Sequence, residues 1–128
     1  MIELLPNEFG EYGNGNVING NVISMMEYRN HPDDKDIEWG ILHVEAYNTN
    51  ISGNQIIADG MPEGYTAILV ETGENNRISN NSIGVTNPSS AKIVVNDTAT
   101  STIVTDSIYE NEFQNHGDNS NVNVTLPD

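Results

Sequence analysis

Apolar residues return along this chain in a short, recurring phrase. Asn50-Ile51-Ser52-Gly53-Asn54-Gln55-Ile56 comes back as Arg77-Ile78-Ser79-Asn80-Asn81-Ser82-Ile83. Looser copies occur at Ile18, Asn21 and Ile23, and at Ile103, Asp106 and Ile108. Each copy reads apolar, two residues, Asn or Asp, one residue, apolar. The anchors 18, 51, 78 and 103 lie 25 to 33 residues apart, a spacing typical of solenoid repeats. One such repeat cannot bury its own apolar side chains, so stacked neighbours must complete the core.

A second signal precedes three of the anchors. Leu42/Val44, Ile68/Val70 and Ile93/Val95 are apolar-x-apolar pairs set 7, 8 and 8 residues before Ile51, Ile78 and Ile103. Period-two alternation predicts strands with one buried face. A coil therefore reads as strand, turn, strand, turn, strand and return segment. The Asn of each phrase is expected at a corner, where it tolerates left-handed backbone and bonds to nearby groups. Stacking puts equivalent Asn residues about 4.8 Å apart, so Asn21, Asn54, Asn81 and Asp106 are expected to form a ladder.

These phrases resemble the right-handed parallel β-helix (pectin-lyase-like) family over about residues 14–124, most closely the β-helix segments of phage tailspike and appendage proteins. The resemblance implies an all-β, right-handed parallel β-helix (solenoid) of about four coils with few or no helices. It is similar in fold to pectate lyases and polygalacturonases as well as to phage appendages, several of which are trimers. Residues 1–13 read as an N-terminal cap or imperfect coil. Residues 14–128 read as coils with return loops at 24–40, 57–66, 84–90 and 109–121. Both ends begin or stop mid-repeat, so the chain reads as a piece of a longer one.

Composition changes the picture mainly by exclusion. Hydrophobic residues make up 36% of the 128, enough for a narrow core. Asn, Gly, Ser and Thr fill the remainder and oppose long helices. Four basic against 19 acidic residues give a formal charge of −15. No basic stripe exists to displace phosphate counterions or meet an anionic membrane, so nucleic acid and membrane surfaces are poor partners. No apolar run approaches the roughly 18 residues of a membrane helix, and Met1-Ile2-Glu3-Leu4-Leu5-Pro6 lacks the basic start and apolar stretch of a secretion signal. Without cysteine there is no disulfide, thiolate ligand or thiol nucleophile.

Candidate chemistry lies on outward positions. Glu45 and Glu71 each follow a buried valine and are expected one coil apart, about 5 Å between Cα atoms. Such a pair could share a proton, hold a divalent cation or serve a retaining glycosidase. It could equally be two solvated side chains. His43, Leu69 and Val94 fall on the same outward face; the apolar members point to a covered surface, and His43 is read as a packed or surface side chain that could act as ligand or base. Asp33, Asp34, Asp36 and Glu38, beside His31, alternate like a calcium loop but lack the Gly turn and the closing Glu at EF-hand spacing. Tyr28, Trp39 and Tyr65 could offer sugar-stacking faces, or Trp39 could plug a core end.

No Gly-x-Ser-x-Gly elbow or phosphate loop occurs. The lyase resemblance would need a basic residue near an acidic sugar, yet only Arg29, Lys35, Arg77 and Lys92 are available. The Asn-Thr-Asp phrase of polygalacturonases is missing. No catalytic set and no cofactor is assigned, with calcium the cation the acidic residues would take. The reading is a non-catalytic display segment of a phage appendage or surface protein, on a virion or outside the cell. A homo-oligomer, preferentially a trimer, and a host glycan are its expected partners. The alternatives are a polysaccharide lyase or glycoside hydrolase, and a passive carbohydrate-binding module.

Overall fold

A computed structural model describes residues 2–25, 40–58, 66–85, 92–106, 113–115, 117 and 121–122. Among them every regular element is a strand, and none is a helix long and apolar enough to cross a membrane. In chain order the strands are β1 Ile2–Leu4, β2 Gly13–Asn14, β3 Val17–Asn19, β4 Val22–Met25, β5 Gly40–Tyr47, β6 Asn50–Ser52 and β7 Gln55–Ala58. They continue as β8 Thr66–Glu74, β9 Arg77–Ser79, β10 Ser82–Val85, β11 Ile93–Thr100, β12 Ile103–Thr105, β13 Phe113–Asn115 and β14 Asn121–Val122.

The strands stack into three parallel sheets. One runs β1-β5-β8-β11-β13, with β2 also on β5; the second runs β14-β12-β9-β6-β3 and the third β10-β7-β4. Successive strands of the chain go to successive sheets, and each sheet gains one strand per turn. That is a right-handed parallel β-helix, the hand that parallel crossovers take.

Sequence alternation dictates the interior. Leu42, Val44, Ile68, Val70, Ile93 and Val95 are fully buried in the first sheet, and Ile18, Ile51 and Ile78 stack inside the second. In the third, Ile23 and Ile56 are buried and Ile83 packs partly against the same core. Ile51, Ile56, Ile78 and Ile83 thus do share one dry interior.

The ladder of asparagines runs through three coils. Asn21 N and Nδ2 both donate to Asn54 Oδ1, at 3.0 and 3.1 Å. Asn54 N and Nδ2 donate in the same way to Asn81 Oδ1, at 3.1 and 2.9 Å. Asn81 N and Nδ2 then donate to the two carboxylate oxygens of Asp106, at 2.7 and 3.0 Å. Each link satisfies a backbone N–H that the corner leaves outside the strand pairing, part-buried at Asn21 and buried at Asn54 and Asn81.

The corner conformation falls one residue earlier than the sequence indicates. Positive φ is taken by Gly20 (69°), Gly53 (65°) and Asn80 (55°), not by the ladder residues that follow them. Asn81 and Asn54 are held by their side chains, so their own backbone need not be left-handed. A second stack of left-handed residues was not anticipated: Gly15 (75°), Asn48 (51°), Asn75 (56°) and Ser101 (53°). Each stands three residues before a buried anchor. Asn48 N donates to Glu74 O at 2.9 Å and Asn75 N to Thr100 O at 3.2 Å, knitting this corner from coil to coil.

The fourth anchor is Val104 rather than Ile103. Val104 pairs with Ile78 and is fully buried, while Ile103 pairs with Arg77 and is 38% exposed. A growing bulge causes the slip. Val44, Val70 and Val95 are in register, but Glu45 pairs with Thr72 and Thr72 with Thr98. One residue (Glu71) is therefore inserted in β8 and two (Asn96, Asp97) in β11. Bulges add a residue to one strand and turn its side chain away from the regular alternation.

Both ends add strands to the first sheet. β13 lies within 109–121, which the sequence reading treats as a return loop, and pairs with β11 as a strand of a fifth turn. Phe113-Gln114-Asn115 carries no apolar-x-apolar pair; parallel pairing there rests on backbone bonds that sequence alternation does not report. At the other end β1 pairs with β5 from Ile2 to Leu4, and β2 joins the same strand at Ala46. The excursion between β1 and β2 is closed by Asn7, whose side chain accepts from Phe9 N and Glu11 N, and Tyr12 stacks edge-on against Tyr47.

Candidate functional site

β5 and β8 build the site on the outer face of the first sheet. In β5, Leu42, Val44 and Ala46 point inward, so His43 and Glu45 share the opposite side. In β8, Leu69 is in register with His43. Regular pairing would continue with Glu71 opposite Glu45. The bulge instead places Thr72 opposite Glu45 and makes Glu71 the inserted residue. This corrects the expected register of the two carboxylates.

The inserted residue is pinned by its neighbours above. Thr98 Oγ1 donates to Glu71 O at 2.5 Å, and Thr72 Oγ1 donates to Thr98 O at 3.1 Å. With its backbone fixed in this way, Glu71 reaches back across the strand towards β5. Its Oε2 lies 2.5 Å from His43 Nε2, while Glu45 Oε1 lies 3.5 Å from the same nitrogen. The imidazole side chain is only 9% exposed, whereas the Glu45 and Glu71 side chains are 21% and 43% exposed. A nearly buried ring therefore presents one nitrogen to two partly solvated carboxylates.

The row beside this trio is apolar. Leu69 and Val94, in register above His43, are buried and form a small cluster of their own. A covered outer surface is what those side chains led the sequence analysis to expect.

Glu45 and Glu71 do come together, and His43 joins them. The sequence offered a partial signal for that third member, because positions i and i+2 of a strand share a face. What it lacked was the bulge that aims Glu71 at the ring. His43 Nε2, Glu45 Oε1 and Glu71 Oε2 all lie within 4.8 Å of one another, close enough to hold a metal ion. The other expected site residues, Tyr28, Asp33, Asp34, Asp36, Glu38, Trp39 and Tyr65, lie outside the described residues.

Away from the site, Asp106 is a buried acid at the corner of the coil. Burial raises its pKa above the ordinary aspartate value, and the two hydrogen bonds from Asn81 pull in the other direction without cancelling it. Its position ends the described ladder, where an acid replaces the amide of the earlier rungs.

Three stacked parallel sheets with in-register corners have a counterpart among known families. The model of the β-helix repeat of inulin fructotransferase matches residues 24–127. The chain belongs to this β-helix repeat family. The match covers β5 to β14 and so includes His43, Glu45 and Glu71. No curated protein and no solved structure matches the chain. Membership in the β-helix repeat family accounts for the coil architecture.

Proposed function

We propose that this chain is a non-catalytic display segment of a carbohydrate-related protein. It is a stiff β-helix whose outer faces and inter-coil segments meet a glycan. One observation carries the non-catalytic part: the nearly buried His43 imidazole stands 2.5 Å from Glu71 and 3.5 Å from Glu45, so both carboxylates already face a partner. A retaining glycosidase places the sugar between its two carboxyl groups, about 5 to 5.5 Å apart. Here one nitrogen of a nearly buried ring engages both carboxylates. The carbohydrate part is supported by the matching family model, which is described from a fructotransferase named for inulin. Tyr28, Trp39 and Tyr65 supply the aromatic contacts of the reading.

The setting that suits such a rod is a phage tail appendage or similar surface protein, on a virion or outside the cell, assembled as a homotrimer. Val17 and Val22, 69% and 71% exposed on the first coil, offer apolar surface to a second copy. A second reading is favoured by the proximity of two carboxylates and an imidazole: a polysaccharide lyase or glycoside hydrolase in which these groups move protons.

A panel of acidic and neutral polysaccharides, inulin included, separates the two. The display reading expects retention of at least one glycan with no new reducing or unsaturated ends, and a clear fall in retention in Trp39→Ala. New ends that vanish in Glu71→Gln would replace it with the enzyme. No retention of any glycan would remove carbohydrate contact altogether. Light scattering is expected to give about three times the 14.0 kDa chain mass, and a monomer at high concentration would contradict the trimer.

A further inference from the structure

We propose that His43, Glu45 and Glu71 form a binding site for a divalent transition-metal ion of the zinc type. This goes beyond the display reading and does not depend on a glycan. The donors are one imidazole nitrogen, His43 Nε2, and two carboxylate oxygens, Glu45 Oε1 and Glu71 Oε2, all within 4.8 Å of one another. Zinc binds nitrogen at about 2.0 to 2.1 Å and carboxylate oxygen at about 2.0 to 2.2 Å in tetrahedral geometry, which sets neighbouring donors roughly 3.3 Å apart. His43 Nε2 and Glu45 Oε1 already stand at 3.5 Å.

Only Glu71 must move, because its Oε2 is 2.5 Å from Nε2. A side-chain rotation of less than about 1 Å opens the space. Glu71 can make it, since its side chain is the most exposed of the three and Thr98 holds only its backbone oxygen. The acids alone would be an ordinary feature of a chain with charge −15. The ring distinguishes this trio: it is more than nine-tenths buried, fixed on an interior strand of the sheet, and brings one nitrogen within 3.5 Å of both carboxylates.

Donor chemistry selects the ion. Calcium takes six to eight oxygen ligands, whereas a single imidazole with two carboxylates suits borderline cations such as zinc, cobalt or nickel. Three protein ligands leave a fourth position for water or an incoming group, the arrangement of an open rather than a closed zinc site. The surrounding negative charge raises the local concentration of cations.

The test uses the full chain stripped with a chelator. Calorimetric titration with Zn²⁺ is expected to saturate at one ion per chain, and Co²⁺ is expected to give the visible absorption of a low-symmetry nitrogen–oxygen site. Glu71→Gln, on a partly exposed side chain, is expected to keep the fold and weaken Zn²⁺ binding at least tenfold, the scale of loss seen when ligand shells are disturbed. His43→Gln gives a second variant, read only after circular dichroism shows the sheet intact. An excess of Ca²⁺ is expected to leave bound Zn²⁺ in place. Absence of saturable Zn²⁺ binding would overturn the site, as would equal binding by Glu71→Gln or displacement by equimolar Ca²⁺.

Discussion

Glu71 owes its place to a single inserted residue, and so does Gly73 two positions on. After the bulge, β8 runs so close to β5 that a Cβ on Gly73 would sit within van der Waals overlap of the Ala46 carbonyl, and its φ is 116°. No L side chain fits that position without moving backbone. Gly73→Ala is expected to lower stability by about 3 kcal/mol or more, seen as a fall in the urea midpoint followed by circular dichroism. The buried Asp106 acts in the opposite sense. Its raised pKa means that the folded chain holds the proton more tightly than the unfolded chain, so the stability it contributes is present in acid and is lost as pH rises through the folded pKa. Asp106→Asn restores an amide rung, with Oδ1 free to accept both Asn81 donors as Asn54 and Asn81 themselves do for the rungs below. The variant is expected to be more stable than the natural chain at pH 7, with the difference shrinking as pH falls into the acid range. Equal unfolding midpoints at pH 7 would contradict this account of Asp106.

At the scale of the element, legibility followed periodicity. The pairs Leu42/Val44, Ile68/Val70 and Ile93/Val95 were readable because inward alternation is enforced by burial, and all six are fully buried. The phrase at Ile51 and Ile78 was readable because a solenoid repeats its corner chemistry, and the ladder from Asn21 to Asp106 followed from it. What escaped was anything that breaks the period. Ile103 looked like the anchor because it is the larger apolar residue at nearly the right spacing, yet two inserted residues in β11 shift the register and bury Val104 instead. The left-handed stack at Gly15, Asn48, Asn75 and Ser101 escaped because its four residues share a conformation rather than a side chain. For the site, Glu45 and Glu71 were legible as carboxylates on one face. The engagement of His43 was not, since it depends on the same bulge and on the threonines that hold it.

Over the whole molecule, stability is distributed coil by coil, because each coil touches chiefly the ones above and below it. The core is a narrow column with no helix packed on it among the described residues, and the stacked sheets bury their apolar faces against one another. A one-residue slip in a strand moves its entire apolar set to the other side, which is why the bulges must grow in step with the corners. The site on β5 and β8 inherits its geometry from that stacking. Methyl-labelled nuclear Overhauser spectroscopy reads the register directly, since stacked side chains lie about 5 Å apart. Cross-peaks from Ile51 to Ile78 and from Ile78 to Val104 are expected, with none from Ile78 to the δ-methyl of Ile103; a strong Ile78–Ile103 contact in place of Ile78–Val104 would contradict the stacking on which the fold and the site rest.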